Sequence, residues 1–89
     1  MRDWTNLSVE ERAGIEDALK KALDGLGIKG PTTRWIEPAK MPHWQLIIQT
    51  SWCDWQSRSD VLRVRDQAMA RADVEGPMHC VILKSHKEK

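Results

Sequence analysis

Apart from Gly14, the glycines and prolines of this chain fall in three groups that separate its hydrophobic patterns, and they limit the fold more than any other feature. The groups occupy residues 25–31, 38–42 and 76–77. Glycine adopts the left-handed backbone that ends helices, and proline cannot donate a hydrogen bond within a sheet. Together with residues 51–57, where the hydrophobic alternation stops, these breaks predict five short elements.

The first segment has the pattern of an amphipathic helix. Ser8 stands three residues before Glu11, the spacing of a capping box in which each side chain accepts a hydrogen bond from the other residue's backbone N–H. Apolar residues then recur at helical spacing, at Ile15, Leu19, Ala22, Leu23 and Leu26. We therefore expect a helix from about Val9 to Asp24.

Two β-prone runs follow, over residues 32–37 and 43–50. In the second run, Trp44, Leu46 and Ile48 alternate with residues that are polar except for Ile47. This alternation is typical of a strand with one face on the core. The two runs are expected to pair as an antiparallel hairpin with a broad loop.

A second helix and a last strand complete the pattern. Ser57 or Ser59 can cap a helix that ends near Asp73, and residues 78–83 form a final β-prone run. Because this run is apolar on both faces, we expect it to lie inside the sheet or under a partner.

The predicted fold class is therefore α+β: a single small domain over residues 1–89, in the order helix-strand-strand-helix-strand. The three-stranded mixed sheet carries both helices on one face. We expect an ordered core over about residues 8–84, with flexible ends at 1–7 and 85–89. This arrangement predicts an exposed apolar face formed by Ile47, Val81 and Leu83.

Length and composition exclude several classes of protein. At 89 residues the chain suits one hydrophobic core, and its net charge of +1 gives no strong overall field for nucleic acid. No apolar run reaches the roughly 20 residues of a membrane-spanning helix, and no secretory signal is recognisable. We expect a cytoplasmic protein without a membrane partner, in which Cys53 and Cys80 remain thiols.

The sequence offers no motif for catalysis, since it lacks a Gly-x-Ser-x-Gly elbow and a glycine-rich phosphate loop. We predict a protein that is not an enzyme and has no catalytic residues.

Metal binding is a more specific possibility. His79 and Cys80 are neighbours on a predicted strand and point to opposite faces, so His79 would pair instead with His43 at the end of the hairpin loop. The alternative is two unrelated surface histidines.

Five tryptophans without Tyr or Phe are an unusual aromatic composition. Trp52 and Trp55 flank a turn beside several arginines, and such an edge can stack bases or anchor a protein. It can equally close one end of the sheet. The residues predicted to bind a protein partner or nucleic acid are Trp52, Trp55, Arg58, Arg63, Arg65 and Arg71.

The element order and four short motifs resemble the BolA family, which has a type II KH-like fold. The motifs are His43-Trp44-Gln45-Leu46-Ile47-Ile48, Trp55, Arg63-Val64-Arg65 and Met78-His79-Cys80-Val81-Ile82-Leu83-Lys84. The resemblance implies a regulatory protein that holds no cofactor on its own but shares a [2Fe–2S] cluster with a monothiol glutaredoxin. His79 would be the main ligand and His43 a second one. DNA binding through the second helix is also implied.

Two other functions stay open. One is a protein–protein interaction module, a phage or plasmid accessory factor or inhibitor, in which Trp52, Trp55 and the outer sheet face bind a partner or form a homodimer. The other is a KH-like domain that binds nucleic acid, for which the four arginines would have to form one surface.

Overall fold

A computed structural model of the protein describes residues 4–39 and 42–85. The elements are α1 (Val9–Gly25), β1 (Thr32–Ile36), β2 (Gln45–Gln49), a 3-10 helix (Ser51–Trp55), α2 (Arg58–Arg71), a 3-10 turn (Met78–Cys80) and β3 (Val81–Lys84). This order confirms the predicted α+β class with two helices and three strands. Among the described residues, no helix is both long enough and apolar enough to cross a membrane.

The sheet is mixed, as predicted, with the strand order β1-β2-β3. β1 pairs antiparallel with β2 to form the expected hairpin, whose loop includes residues 40–41, outside the described part. β2 pairs parallel with β3. The expectation that the last strand lies inside the sheet is wrong: β2 is central and β3 is an edge strand. The first three residues of the apolar run at 78–83 form the 3-10 turn, and only the rest belongs to β3. The apolar pattern on both faces was therefore not that of one continuous strand.

Both helices cover the same face of the sheet. Leu19 and Leu23 of α1 and Met69 of α2 are almost fully buried, together with Leu46 and Ile48 of the central strand. Because side chains alternate along a strand, the register that pairs Leu46 with Val81 and Ile48 with Leu83 places all four on the helix side.

The predicted exposed apolar face of Ile47, Val81 and Leu83 is therefore wrong. Val81 and Leu83 point toward the helices and are 1% and 8% exposed. Ile47 points to the outer face, yet it is only 4% exposed, because it lies in the central strand between Arg34 and Ile82. On this face it is Ile36, on the edge strand β1, that is exposed.

Side-chain caps fix where the helices begin. Ser8 Oγ accepts a hydrogen bond from the N–H of Glu11, and the Glu11 carboxylate accepts one from the N–H of Ser8, so the predicted capping box is confirmed. Ser57, rather than Ser59, caps α2 by accepting a bond from the Asp60 N–H at 3.2 Å. Both helices thus begin where a hydroxyl satisfies an otherwise unpaired N–H.

The segment before α1 is part of the core, so the expectation of a flexible end is wrong for residues 4–7. Trp4 is 0% exposed, and its indole N–H donates to the Glu75 carbonyl at 3.0 Å. Its carbonyl accepts a bond from the Trp44 N–H at 2.8 Å. The Trp4 and Trp35 rings lie 5.7 Å apart, a distance typical of a packed aromatic pair. Residues 1–3 and 86–89 lie outside the described part.

Candidate functional site

The predicted histidine pair lies at one end of the sheet. His43 comes two residues before β2, and His79 lies in the 3-10 turn that leads into β3. Since β2 and β3 run parallel, the residues that precede them meet at the same end. The ring centroids of His43 and His79 are 5.8 Å apart and the rings are inclined by 71°. His79 is exposed and His43 is half-buried.

This spacing is close to what one metal ion requires. A tetrahedral metal with both imidazole nitrogens at about 2.1 Å holds the two ring centres roughly 5 Å apart. A side-chain adjustment of less than about 1 Å would bring the observed pair to that distance. Imidazole suits zinc, copper and iron, and two histidines on one iron are an established way to hold a [2Fe–2S] cluster.

The other soft donors of the chain lie elsewhere. Cys80 and Cys53 are buried thiols, 0% and 8% exposed, and Cys80 belongs to the core although it lies in the 3-10 turn rather than on the strand. Within residues 4–39 and 42–85, no group of three or more His, Cys, Asp or Glu side chains could hold a metal ion. Among the described residues, the two histidines therefore do not belong to a larger cluster of such side chains.

A groove runs between α2 and the edge strand β3, and we call it the α2–β3 groove. It consists of two adjoining cavities of about 230 and 200 Å³ that share four lining residues, Arg58, Val61, Ile82 and Leu83. One cavity extends to His79, and the other extends to Lys84 and Ser85. The groove thus begins at the histidine pair and follows β3 to its end.

The four predicted arginines do not form one surface. Arg58 and Arg65 are two turns apart on α2 and both line the α2–β3 groove. Arg63 points elsewhere and pairs with Asp60 at 3.8 Å. Arg71 lies at the other end of α2, where its guanidinium packs beside Gly25 at the last turn of α1.

The two predicted tryptophans also differ. Both lie on the 3-10 helix Ser51–Trp55, which begins where the Thr50 side chain accepts a hydrogen bond from the Trp52 N–H. Trp52 is half-buried and packs against the core, whereas Trp55 is 84% exposed. Only Trp55 offers a large aromatic surface to solvent.

Sequence reasoning missed the groove as a unit, although its signal is present. Arg58, Val61, Leu62 and Arg65 follow the i, i+3, i+4, i+7 spacing of one helix face. That face combines two cations with two aliphatic residues, but the predicted binding set included only the two arginines. The other wall of the α2–β3 groove is formed by β3. It could not be predicted, because the sequence does not show that β3 is an edge strand.

No family model matches this chain, and no curated protein or solved structure matches it either.

Proposed function

We propose that this chain is a non-enzymatic binding protein that contributes His43 and His79 to a metal centre completed by a protein partner. The observation that carries the proposal is the 5.8 Å separation of the two imidazole rings, from residues that are 36 positions apart in sequence (79 − 43). The resemblance to the BolA family favours a [2Fe–2S] cluster as the centre and a monothiol glutaredoxin as the partner.

Two features support a shared centre. His79 is exposed, so its ring can reach a metal held by another protein. The backbone bond from Trp44 to the buried Trp4 fixes the chain directly after His43, which limits the loss of entropy when a ligand binds. The proposal assigns the remaining ligands to the partner. A cluster bound in this way would supply a redox-sensitive link between the two proteins.

The test is to mix the protein with a monothiol glutaredoxin, ferrous iron and sulfide, and to record visible circular dichroism after size-exclusion chromatography. We expect a heterodimer whose cluster spectrum differs from that of glutaredoxin alone. His79→Ala should remove the difference, because half of this chain's ligand pair is lost. His79→Cys should keep a cluster with a changed spectrum, since thiolate also binds iron.

Arg63→Ala is the matched control, because Arg63 is exposed and lies away from both histidines. It should leave the spectrum unchanged. A heterodimer whose cluster spectrum is the same with His79→Ala and His43→Ala would contradict the proposal, and so would the absence of any heterodimer.

The exposed Trp55 favours a second candidate function, a protein–protein interaction module. An indole that is 84% exposed is a frequent anchor in interfaces, since it buries a large area with little loss of side-chain freedom. If the partner is a second copy of the chain, light scattering at several concentrations will show a dimer that Trp55→Ala dissociates. A mass that stays monomeric at all concentrations would exclude the homodimer.

A further inference from the structure

We propose that the α2–β3 groove binds an extended, acidic segment of a partner protein. This inference goes beyond the shared metal centre and does not rest on it. His79 lines one end of the groove, but the residues that carry the inference are the cationic and aliphatic side chains along α2 and β3. It assigns a role to Arg58, Arg65 and the aliphatic residues between them.

The shape of the groove suits an extended chain. Its two cavities of about 230 and 200 Å³ adjoin along β3 rather than forming one deep pocket. The strand β3 has four residues, and at about 3.3 Å per residue it spans roughly 13 Å. This length accommodates four or so residues of an extended peptide, with Val61 and Leu62 available to its apolar side chains.

The charge of the groove selects an acidic segment. Among the described residues that line it, Arg58, Arg65 and Lys84 are cationic and none is acidic. The Arg65 side chain is only 16% exposed and is held by Asp66 at 2.9 Å, so its position is fixed before a ligand binds. An arginine is well suited to a carboxylate, because its planar fork can donate two parallel hydrogen bonds. In Arg65 the Nε and Nη2 atoms already donate to Asp66, so we assign the bidentate contact with the peptide to Arg58.

The side chains of the groove favour a peptide over single-stranded nucleic acid. Proteins that bind single strands stack several bases on aromatic rings, and the only ring among the described lining residues is the imidazole of His79 at one end of the groove. The walls are aliphatic instead, which suits the leucine, valine and isoleucine side chains of a peptide.

The experiment is a titration of the isotopically labelled, metal-free protein, followed by amide NMR signals. The probe is an acetylated decapeptide of alternating glutamate and valine, and the matched probe has lysine in place of glutamate. We expect the acidic peptide to shift the amides of Val61, Leu62, Ile82 and Leu83, and the basic peptide to shift none of them. A decanucleotide of thymidylate serves as the nucleic-acid arm.

Arg58→Glu should lower the affinity for the acidic peptide by about tenfold or more, because it places a like charge in the groove. The variant should fold, since a negative charge in the first turn of α2 stabilises the helix. Arg63→Glu, on the same helix but outside the groove, should change the affinity by less than about twofold.

Three results would overturn the proposal: no shift at peptide concentrations of about 1 mM, equal shifts from both peptides, or tighter binding of thymidylate at the same amides. The measurement needs no metal, so its failure leaves the histidine proposal standing. Conversely, a failed cluster experiment leaves this one unaffected.

Discussion

At the residue scale, Gly76 shows how a single position depends on a contact distant in sequence. The backbone at Gly76 passes so close to the buried indole of Trp4 that an added Cβ atom would overlap the ring. The same indole donates its N–H to the neighbouring Glu75 carbonyl. Gly76 therefore leaves room for Trp4, whereas α2 ends earlier, at Arg71 with Ala72 as its C-cap.

We predict that Gly76→Ala lowers the free energy of unfolding by about 1–3 kcal/mol, because the methyl group displaces a well-packed ring. Gly14→Ala is the matched control. Gly14 lies within α1 and nothing approaches its Cβ position within 4 Å, so the change should raise stability by about 0.5–1 kcal/mol. Urea denaturation measures both values. If Gly76→Ala lowers the free energy of unfolding by the same amount in a Trp4→Ala background, overlap with the indole is not the cause of the loss.

The histidine pair was predictable from sequence and Trp4 was not, for physical reasons. His43 and His79 each precede a β-prone run, and runs that lie side by side bring such residues to one end. Trp4 precedes the capping serine, outside any periodic pattern, so nothing in the sequence indicated that it folds back onto Glu75 and Gly76. Its burial depends on a tertiary contact alone.

At the scale of elements, the start of α2 gives a direct test of a local rule. The sequence allowed either Ser57 or Ser59 as the cap, and the structure shows Ser57 accepting the Asp60 N–H. Ser57→Ala should therefore reduce the free energy of unfolding by about 1 kcal/mol, because that N–H loses its partner. Ser59→Ala should change it by less than about 0.5 kcal/mol, since Ser59 is exposed within the helix.

Denaturation curves of the two serine variants decide the matter. If Ser59→Ala lowers the free energy of unfolding as much as Ser57→Ala does, or more, the helix begins later than Arg58. The helix bounds otherwise agree with the predictions to within about two residues, because hydroxyl caps and glycines mark helix ends locally. The strand bounds agree less well: β3 starts at Val81 rather than Met78, since an apolar run does not distinguish a strand from a 3-10 turn.

At the scale of the whole molecule, the order of the strands decides what surface is available. An edge position for β3 creates the α2–β3 groove and places His79 at its end. The sequence predicted the composition of the fold, but it treated residues 78–83 as one continuous strand and so placed Val81 and Leu83 on the exposed face. The 3-10 turn at Met78–Cys80 changes that phase, and both side chains point to the helices. In the structure β2 is the central strand, and it buries Leu46, Ile47 and Ile48. Strand order depends on long-range pairing, which no local pattern records.

The measurement that tests the shared metal centre most directly is pulsed EPR of the reduced cluster in the complex with a monothiol glutaredoxin. The histidines of this chain are labelled with nitrogen-15 and the partner is left unlabelled. We predict nitrogen-15 hyperfine coupling to the cluster that weakens with His43→Ala or with His79→Ala and disappears when both histidines are replaced. A cluster-containing complex without any nitrogen-15 coupling would contradict the proposal, because the metal would then be held without this chain's histidines.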